Sequence, residues 1–265
     1  MRHTTTTPFP PRGGPPRRRA AFTVALGLAA GLVVLPAAAP AGVVNSGNLI
    51  VNGDAEAGPG GNGRSGNVPV PGFTITGGAT VTAYGTGGPT SFPGLTSPGP
   101  PNRGSNFFSG GNASGSSLLT QLIDLSADAA LIDTGTIEFA LSAFLGGFRG
   151  QNDRVTVTAS FGDGSGNVLQ TAAIGPVLAA DRGGQTGLLL RETDGLLPAG
   201  VRDVAVELAF VRSGGSFNDG YADALSLSLA GPNTPGGGTV PEPATLTLLG
   251  LCAAGLAAGR RKLAG

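Results

Sequence analysis

The stretches that decide the fold are RVTVTASF at 154–161 and VRDVAVELAFV at 201–211. Apolar and polar residues alternate in both, and the apolar positions are Val155, Val157, Ala159, Val204, Val206, Leu208 and Phe210. Within an extended strand, a period of two turns these side chains to one face. Antiparallel strands with one face on a shared core carry this pattern, so we predict a sheet that is buried on one side.

Nine other segments share this β-branched and apolar character, namely 48–51, 72–76, 80–84, 105–109, 117–125, 136–145, 168–174, 186–193 and 221–229. Glycine and proline, about a quarter of the chain, separate the segments and mark turns such as Asp163-Gly164. We therefore expect residues 42–230 to form one all-β domain, an antiparallel two-sheet sandwich of jelly-roll type. A β-solenoid is the alternative, and the absence of a sequence repeat disfavours it.

The formal charge of zero conceals a separation of charge along the chain. All 16 acidic residues lie between Asp54 and Glu242, together with only eight arginines, which leaves this span with a charge of about −8. The other eight cations occupy the two ends. An acidic body without lysine repels polyanions, so we exclude nucleic acid as a partner.

Residues 1–41 are predicted to be a signal peptide. The basic stretch Arg17–Arg19 precedes an apolar run at 20–35, and Ala39-Pro40-Ala41 has the small-residue form that signal peptidase cleaves, here after Ala41. A buried core helix is the alternative. The pair Arg18-Arg19 also leaves the twin-arginine route open. We expect a signal helix ahead of the sandwich, and export of the body.

The C-terminal stretch VPEPATLTLLGLCAAGLAAGRRKLAG, residues 240–265, combines three features. A short extended motif consists of Pro241, Glu242 and Pro243. An apolar run at 244–258 follows, and as a helix it would measure about 22 Å, somewhat short for a bilayer. The basic tail that comes next consists of Arg260, Arg261 and Lys262. Such a tail stays on the cytoplasmic side of a membrane, which would leave the body outside.

This arrangement resembles the PEP-CTERM sorting signal. The resemblance implies processing by an exosortase-type membrane transpeptidase in a Gram-negative bacterium, with the tail removed or exchanged. The precursor would be tethered to the inner membrane through the short transmembrane helix, and the mature protein would reach the cell surface or extracellular matrix. A plain membrane anchor is the alternative, but it leaves the Pro-Glu-Pro motif unexplained. Residues 231–239 would form a flexible Gly/Pro linker.

The body lacks the side chains that most covalent catalysis uses. His3 is the only histidine, Cys252 is the only cysteine and Lys262 is the only lysine, and all three lie in the predicted targeting segments. Ser-His-Asp and Cys-His nucleophiles, histidine zinc sites and Schiff-base lysines are therefore excluded from the body. Glycosidases need a carboxylate pair across a cleft, whereas acids such as Asp153 and Asp181 are expected in solvated turns. We predict a noncatalytic protein, with a secreted glycoside-acting enzyme as the less favoured alternative.

The body also resembles the galactose-binding-like sandwiches of secreted carbohydrate-binding modules, through NLIVNGDAEAG at 48–58, SNFFSGG at 105–111 and NDGYADALSLSL at 218–229. The resemblance implies that the first and last strands are adjacent and hold a structural Ca²⁺. The matching residues are Asn52, Asp54, Glu56 and Asp223. Hard oxygens of this kind suit calcium, although Asn52-Gly53-Asp54 is equally typical of a plain turn. A second acidic turn, 161–167, lacks the distal glutamate of a calcium loop, so a hairpin tip is expected there.

Sugar-binding modules commonly stack a sugar ring on an exposed tryptophan or tyrosine. The chain has no tryptophan and two tyrosines, which weakens that prediction. The candidate ligand-binding residues are Tyr84, Phe148, Arg149 and Asn152. Two functions remain from the sequence: a noncatalytic cell-surface or matrix protein, and a carbohydrate-binding module that interacts with exopolysaccharide.

Overall fold

The computed structural model describes residues 46–63, 68–88, 91–112 and 115–231, all within the compact unit Pro40–Gly265. The predicted signal peptide at 1–41 and the sorting signal at 240–265 lie outside the described residues, as does the linker beyond Gly231. Across the described ranges, no helix combines the length and the apolar character needed to cross a bilayer.

The described part of the chain contains ten strands. They are β1 Thr74–Thr76, β2 Thr80–Ala83, β3 Asn106–Asn112, β4 Ser116–Asp124, β5 Glu138–Gly147, β6 Arg154–Gly162, β7 Val168–Ile174, β8 Gly187–Leu196, β9 Asp203–Val211 and β10 Phe217–Ala230. A 3₁₀ turn at Ser126–Asp128 and the one-turn helix α1 at Ala129–Ile132 connect β4 to β5.

The strands form two antiparallel sheets of five. The first sheet has the order β1-β4-β9-β6-β7, and the second has the order β2-β3-β10-β5-β8. Successive strands repeatedly cross from one sheet to the other, as β3 to β4, β4 to β5 and β8 to β9 do. The predicted all-β, two-sheet sandwich is therefore confirmed.

The main core lies between the two sheets. The alternating residues predicted from β6 and β9 all point into it, and none is more than 1% exposed. They face Leu141 and Leu145 of β5 and Leu227 of β10, which are also fully buried. This two-sided burial is the physical consequence of the period of two, because a sheet with one apolar face is stable only when that face is covered.

A second, smaller apolar cluster lies on the outer face of the second sheet. Phe107 of β3, Leu188 of β8 and Tyr221 of β10 are fully buried there together with Phe92. Phe92 belongs to the long connection at 84–105, so this connection covers part of the sheet. The Phe107 and Tyr221 rings meet edge to face at 5.1 Å.

The prediction of a strand at 48–51 is wrong, although the segment does lie beside the last strand. The backbone N–H of Leu49 donates to the carbonyl of Leu227 at 2.8 Å. At the neighbouring position the Asn48 side chain takes the place of a backbone partner, because its Oδ1 accepts from the N–H of Leu227 and its Nδ2 donates to the carbonyl of Leu225. Side-chain pairing of this kind interrupts the regular ladder, so the segment lies beside β10 without being a strand.

Candidate functional site

A cavity of about 290 Å³ opens at one end of the sandwich. It lies where β3 and β5 end and β10 begins. The lining residues come from five separate parts of the chain, namely Gly63, Ser91, Phe92, Asn112, Phe148, Ser216, Phe217 and Asp219. Three phenylalanine side chains and one carboxyl group therefore share a small concave surface with neutral polar groups, which is the usual composition of a site for a small organic ligand.

Asp219 is the one charged residue among the described residues that line this cavity, and it is 9% exposed. Its Oδ1 accepts a short hydrogen bond from the Tyr221 hydroxyl. Burial raises the pKa of Asp219 to about 6, and the negative charge of Asp153 adds to the rise, while the Tyr221 hydroxyl and the Arg182 charge act against it. The pocket thus contains a carboxyl group that is poorly solvated and changes charge near neutral pH.

Asp153 fixes the segment that carries Asp219. Its Oδ1 accepts hydrogen bonds from the backbone N–H and hydroxyl of Ser213 and from the backbone N–H of Gly214, and its Oδ2 accepts from the backbone N–H of Asp219. The residue is 0% exposed, so the expectation of a solvated acid at this position is wrong. Four donors compensate the buried charge, and together they hold the start of β10 against the end of the sandwich.

Arg182 fixes the loop on the other side of the pocket. Its Nη groups donate to the carbonyls of Arg149, Gln151 and Gln185, and the residue is 7% exposed. Burial lowers the pKa of the Arg182 guanidinium. Because the planar guanidinium reaches several carbonyls at once, it determines the path of the loop that presents Phe148.

The structure places the predicted ligand-binding residues in different environments. Phe148 lines the pocket, and the guanidinium of Arg149 lies 5.1 Å from the centre of its ring. Arg149 is exposed and has a φ of 41°, a left-handed conformation. Asn152 is also exposed, and its Oδ1 accepts a hydrogen bond from the backbone N–H of Ala179 at 3.1 Å. Phe148 is therefore the predicted residue that the fold brings to the cavity.

Tyr84 lies outside the pocket. Its ring packs on Phe107 at 4.9 Å, the Arg103 guanidinium lies 5.2 Å from its centre, and its hydroxyl donates to Asp223 Oδ2 at 2.7 Å. Burial raises the pKa of the Tyr84 hydroxyl well above its usual range. Since both the ring and the hydroxyl have protein partners, Tyr84 connects the second apolar cluster to the last strand.

The fold brings Glu56 and Asp223, from the two ends of the domain, close enough to repel each other. Burial raises the pKa of Asp223 to about 7, and the charges of Glu56 and Asp54 add to the rise. Asp223 is 1% exposed, and its partners are the Tyr84 hydroxyl and the Ala224 N–H rather than a cationic side chain. The carboxyl group of Asp223 is therefore buried beside other acids without a cationic side chain as a hydrogen-bond partner.

The side-chain oxygens of Asn52, Asp54 and Glu56 already accept hydrogen bonds from the protein backbone. Asn52 uses both ends of its amide, accepting from the N–H of Ala57 and donating to the carbonyl of Pro71. Asp54 accepts from the N–H of Glu56 at 3.3 Å. Glu56 itself accepts from the backbone N–H groups of Ser105 and Asn106. Within the part of the chain that the structure describes, no group of three or more His, Cys, Asp or Glu side chains is arranged as a metal cluster.

The second acidic turn is a hairpin tip between β6 and β7, as expected. Asp163 accepts hydrogen bonds from the backbone N–H groups of Ser165 and Asn167, and Asn167 Nδ2 donates to its other oxygen. Gly164 has a φ of 76°, which a residue with a side chain rarely adopts. The Asp163 carboxylate therefore stabilises the hairpin turn.

Sequence reasoning missed most of the pocket. Phe92, Phe217 and Asp219 line it, and the rings of the two phenylalanines meet edge to face at 5.1 Å. None of these three positions carries a local signal, because an aromatic residue or an acid near a glycine-rich turn is ordinary in a sandwich. The pocket forms only in the folded chain, where segments that are distant in sequence come together.

The C-terminus matches a known sorting element. Residues 239–262 match the PEP-CTERM protein-sorting motif. This match confirms the resemblance inferred from the sequence, and it indicates an exported protein that is anchored in the membrane before an exosortase processes it. No curated protein matches the chain.

The body has structural neighbours among carbohydrate-binding modules. Family 16 Carbohydrate Binding Module-2 is 18% identical, with a TM-score of 0.41, over 68% of this chain and 99% of that one. The CBM22-1 xylan-binding domain from Paenibacillus barcinonensis Xyn10C is 12% identical, with a TM-score of 0.34, over 64% of this chain and 91% of that one. The enzymatically active domain of bacteriophage CBA120 tailspike protein 4 is 15% identical with a TM-score of 0.41, and the match covers 21% of that chain and 68% of this one. These likenesses concern the fold alone.

Proposed function

We propose that this is an exported, noncatalytic cell-surface or matrix protein of a Gram-negative bacterium, processed at Pro241–Pro243. The match of residues 239–262 to the PEP-CTERM sorting motif carries the proposal. The composition supports the noncatalytic part, since the span between the targeting segments lacks histidine, cysteine and lysine. In addition, the described residues that line the cavity at the end of the sandwich include one carboxyl group, whereas a glycosidase needs two across the scissile bond.

The mass of the mature protein from the native envelope tests this proposal. We expect loss of residues 1–41, together with loss or exchange of the chain after the Pro-Glu-Pro motif. A Glu242→Ala variant should be exported but should retain its C-terminal tail, and Glu138→Ala is the matched control because it changes an exposed acid of the body. A full-length chain dissolved in the cytosol would contradict the proposal.

For the body, we propose that the phenylalanine-lined pocket binds a sugar unit of an exopolysaccharide. The observation that supports this function is the presence of Phe148, Phe217 and Asp219 around one small cavity. The apolar face of a sugar ring packs on aromatic side chains, while a carboxyl group and neutral polar groups satisfy its hydroxyls. The pocket favours binding over hydrolysis, because the acid next to Asp219 is not available as a second catalytic carboxylate. This acid, Asp153, is fully buried and accepts four hydrogen bonds.

A glycan array probed with the full-length chain in detergent tests sugar binding. Phe148→Ala should weaken binding about tenfold, because an aromatic contact contributes about 1 kcal/mol beyond its buried area. Leu122→Ala is the control, since it removes an apolar side chain that is 73% exposed on the first sheet. Absence of binding across neutral, acidic and basic glycans, or equal binding by the two variants, would refute the pocket and leave the surface role.

We further propose that Glu56 and Asp223 hold a structural Ca²⁺. The support is the burial of Asp223 beside two other acids without a cationic partner among the described residues. Calcium would supply the missing positive charge and tie the segment before β1 to the last strand. Asn52 is left out of this set because its amide is used within its own turn.

A further inference from the structure

Among the described residues that line the pocket, Asp219 alone carries a charge, and that charge is negative. Asp219 lines the cavity, while Arg149 is exposed beside Phe148 and is not part of the lining. The rest of the lining is aromatic or carries hydroxyl and amide groups. The sugar that fits this pocket best is therefore one whose polar groups pair with the Asp219 carboxylate and whose ring packs on the phenylalanine side chains.

The carboxyl group of Asp219 is only partly satisfied by the protein. Its Oδ1 accepts from the Tyr221 hydroxyl, and no donor among the described residues reaches its Oδ2. Arg182 is the nearest compensating cation, but its Nη groups donate to backbone carbonyls, and no ion pair in the described part of the chain joins it to Asp219. An ionised carboxylate in this position has a hydroxyl partner but no cationic one among the described residues.

A neutral sugar would give Asp219 a hydroxyl but no charge. A sugar acid would bring a second negative charge to the same small space, which is unfavourable at low effective dielectric. A protonated amine supplies both a donor and the opposite charge. Aromatic faces also attract ammonium groups, so Phe148, Phe92 and Phe217 would favour such a ligand rather than merely tolerate it.

We propose that this pocket binds a sugar that carries a free, protonated amine, such as a hexosamine unit of a polysaccharide that is not N-acetylated. The proposal rests on the sugar-binding function proposed above and specifies its ligand. The apolar face of the ring lies against the phenylalanines, and the ammonium group donates to Asp219 Oδ2. A cavity of about 290 Å³ is near the lower end of the range, roughly 300–1,000 Å³, that small-ligand sites occupy, so one unit enters it.

The acidic character of the body agrees with this ligand. The span from Asp54 to Glu242 carries about −8, which attracts a cationic polymer over long range. That attraction is not specific to the pocket, however, and it weakens when salt shortens the Debye length to about 4 Å or less. The contact with Asp219 is buried and should survive in high salt. Affinities measured in low and in high salt therefore distinguish this long-range attraction from binding in the pocket.

Titration calorimetry of the full-length chain in detergent tests the proposal in low and in high salt. The probes are glucosamine oligosaccharides, their N-acetylated counterparts and glucose oligosaccharides of equal length. We expect the free-amine series to bind at least tenfold more tightly than the other two in both salts. Asp219→Asn, which keeps an oxygen for the Tyr221 hydroxyl but removes the charge, should reduce this preference to less than threefold.

The control is Asp194→Asn, which removes the same charge from an exposed position on β8 and should keep the preference. Equal affinity for the amine and N-acetylated series, or a preference that Asp219→Asn retains, overturns the proposal. If Phe148→Ala weakens all sugars alike and no amine preference exists, sugar binding stands and this inference fails. If no sugar binds, both fail.

The wild-type chain alone provides a second readout. The preference should fall as the pH drops below about 6, where Asp219 gains a proton. It should also fall above about 8, where an amine with the pKa of an α-amino group loses its charge. Asp153, Arg182 and Tyr221 are the other titratable groups that face Asp219; burial lowers the pKa of the Arg182 guanidinium and raises the pKa of the Tyr221 hydroxyl well above its ordinary value. A preference that is constant from pH 5 to pH 9 overturns the proposal without any variant.

Discussion

The carboxylate of Asp153 accepts a hydrogen bond of 2.8 Å from the backbone N–H of Asp219, 66 residues later in the chain. Both side chains are buried. The charge on Asp153 also makes ionisation of Asp219 less favourable. One acid therefore fixes the position of the other and contributes to its pKa, which links the stability of this end of the sandwich to the chemistry of the pocket.

Asp153→Ala should lower the free energy of unfolding by about 3 kcal/mol, because buried donors lose their acceptor and each costs about 1–3 kcal/mol when unsatisfied. The affected donors are on Ser213, Gly214 and Asp219. Urea unfolding of the full-length chain measures the change. The exposed Asp194→Ala should stay within about 0.5 kcal/mol of the wild type. A loss below 1 kcal/mol for Asp153→Ala would show that the segment is held by other contacts.

Asp219 should make the protein less stable as the pH rises from about 4 to about 6. Its folded pKa of about 6 is above the ordinary value of 3.8, so the folded state keeps a proton that the unfolded state has lost. The stabilisation is complete below about pH 4 and is lost by about pH 6. A shift of about two pH units corresponds to about 3 kcal/mol.

The measurement compares unfolding of the wild type and Asp219→Asn in urea at several pH values. The difference between the two chains should grow in favour of Asp219→Asn across this window and stay constant above it. Other acids titrate in the same range, but they are common to both chains and cancel. A difference that does not vary with pH would refute the raised pKa.

Arg182→Lys should loosen the loop that carries Phe148. Lysine keeps the charge but cannot reach the carbonyls of Arg149, Gln151 and Gln185 together. We expect a loss of about 2 kcal/mol in unfolding free energy and several-fold faster trypsin cleavage after Arg149. Cleavage after the exposed-face residue Arg191 on β8, followed by mass spectrometry in the same digest, is the internal control. Equal acceleration at both sites would indicate general destabilisation instead.

Leu208→Ala should cost about 3 kcal/mol, and Leu122→Ala should cost less than about 0.5 kcal/mol. The two residues lie on the paired strands β9 and β4, but Leu208 is 0% exposed in the core and Leu122 is 73% exposed. Thermal or urea unfolding distinguishes them. Similar costs for the two variants would mean that the assignment of inner and outer faces is wrong.

Removal of calcium should lower the unfolding midpoint of the full-length chain. A ligand present at a hundred times its dissociation constant stabilises the folded state by about 2.7 kcal/mol. Glu56→Gln keeps an oxygen for the N–H groups of Ser105 and Asn106 but removes the charge, so its midpoint should no longer respond to a chelator. Asp194→Asn, at an exposed position on β8, should respond like the wild type. If the wild-type midpoint is the same with and without chelator, the calcium proposal is wrong.

The strands were predictable because each is encoded locally. The period of two in β6 and β9 places their apolar side chains on one face of each strand, and this property depends only on the local sequence. Segment 48–51 is a short apolar run, which predicts a strand from the local sequence, but its pairing with β10 depends on the Asn48 side chain. Asp153 was expected to be solvated for a similar reason: its neighbours in sequence are polar, and its four donors come from 60 or more residues away.

The sequence by itself determined the two-sheet sandwich, the acidic body and the sorting signal, because strand period, charge and a contiguous motif are local properties. Only the tertiary structure decided where the cavity lies. Phe92, Phe148 and Asp219 come from separate connections and strand ends, and they meet because the two sheets bring those ends together. Burial then changes the chemistry of Asp219, since a carboxyl group removed from water keeps its proton to higher pH.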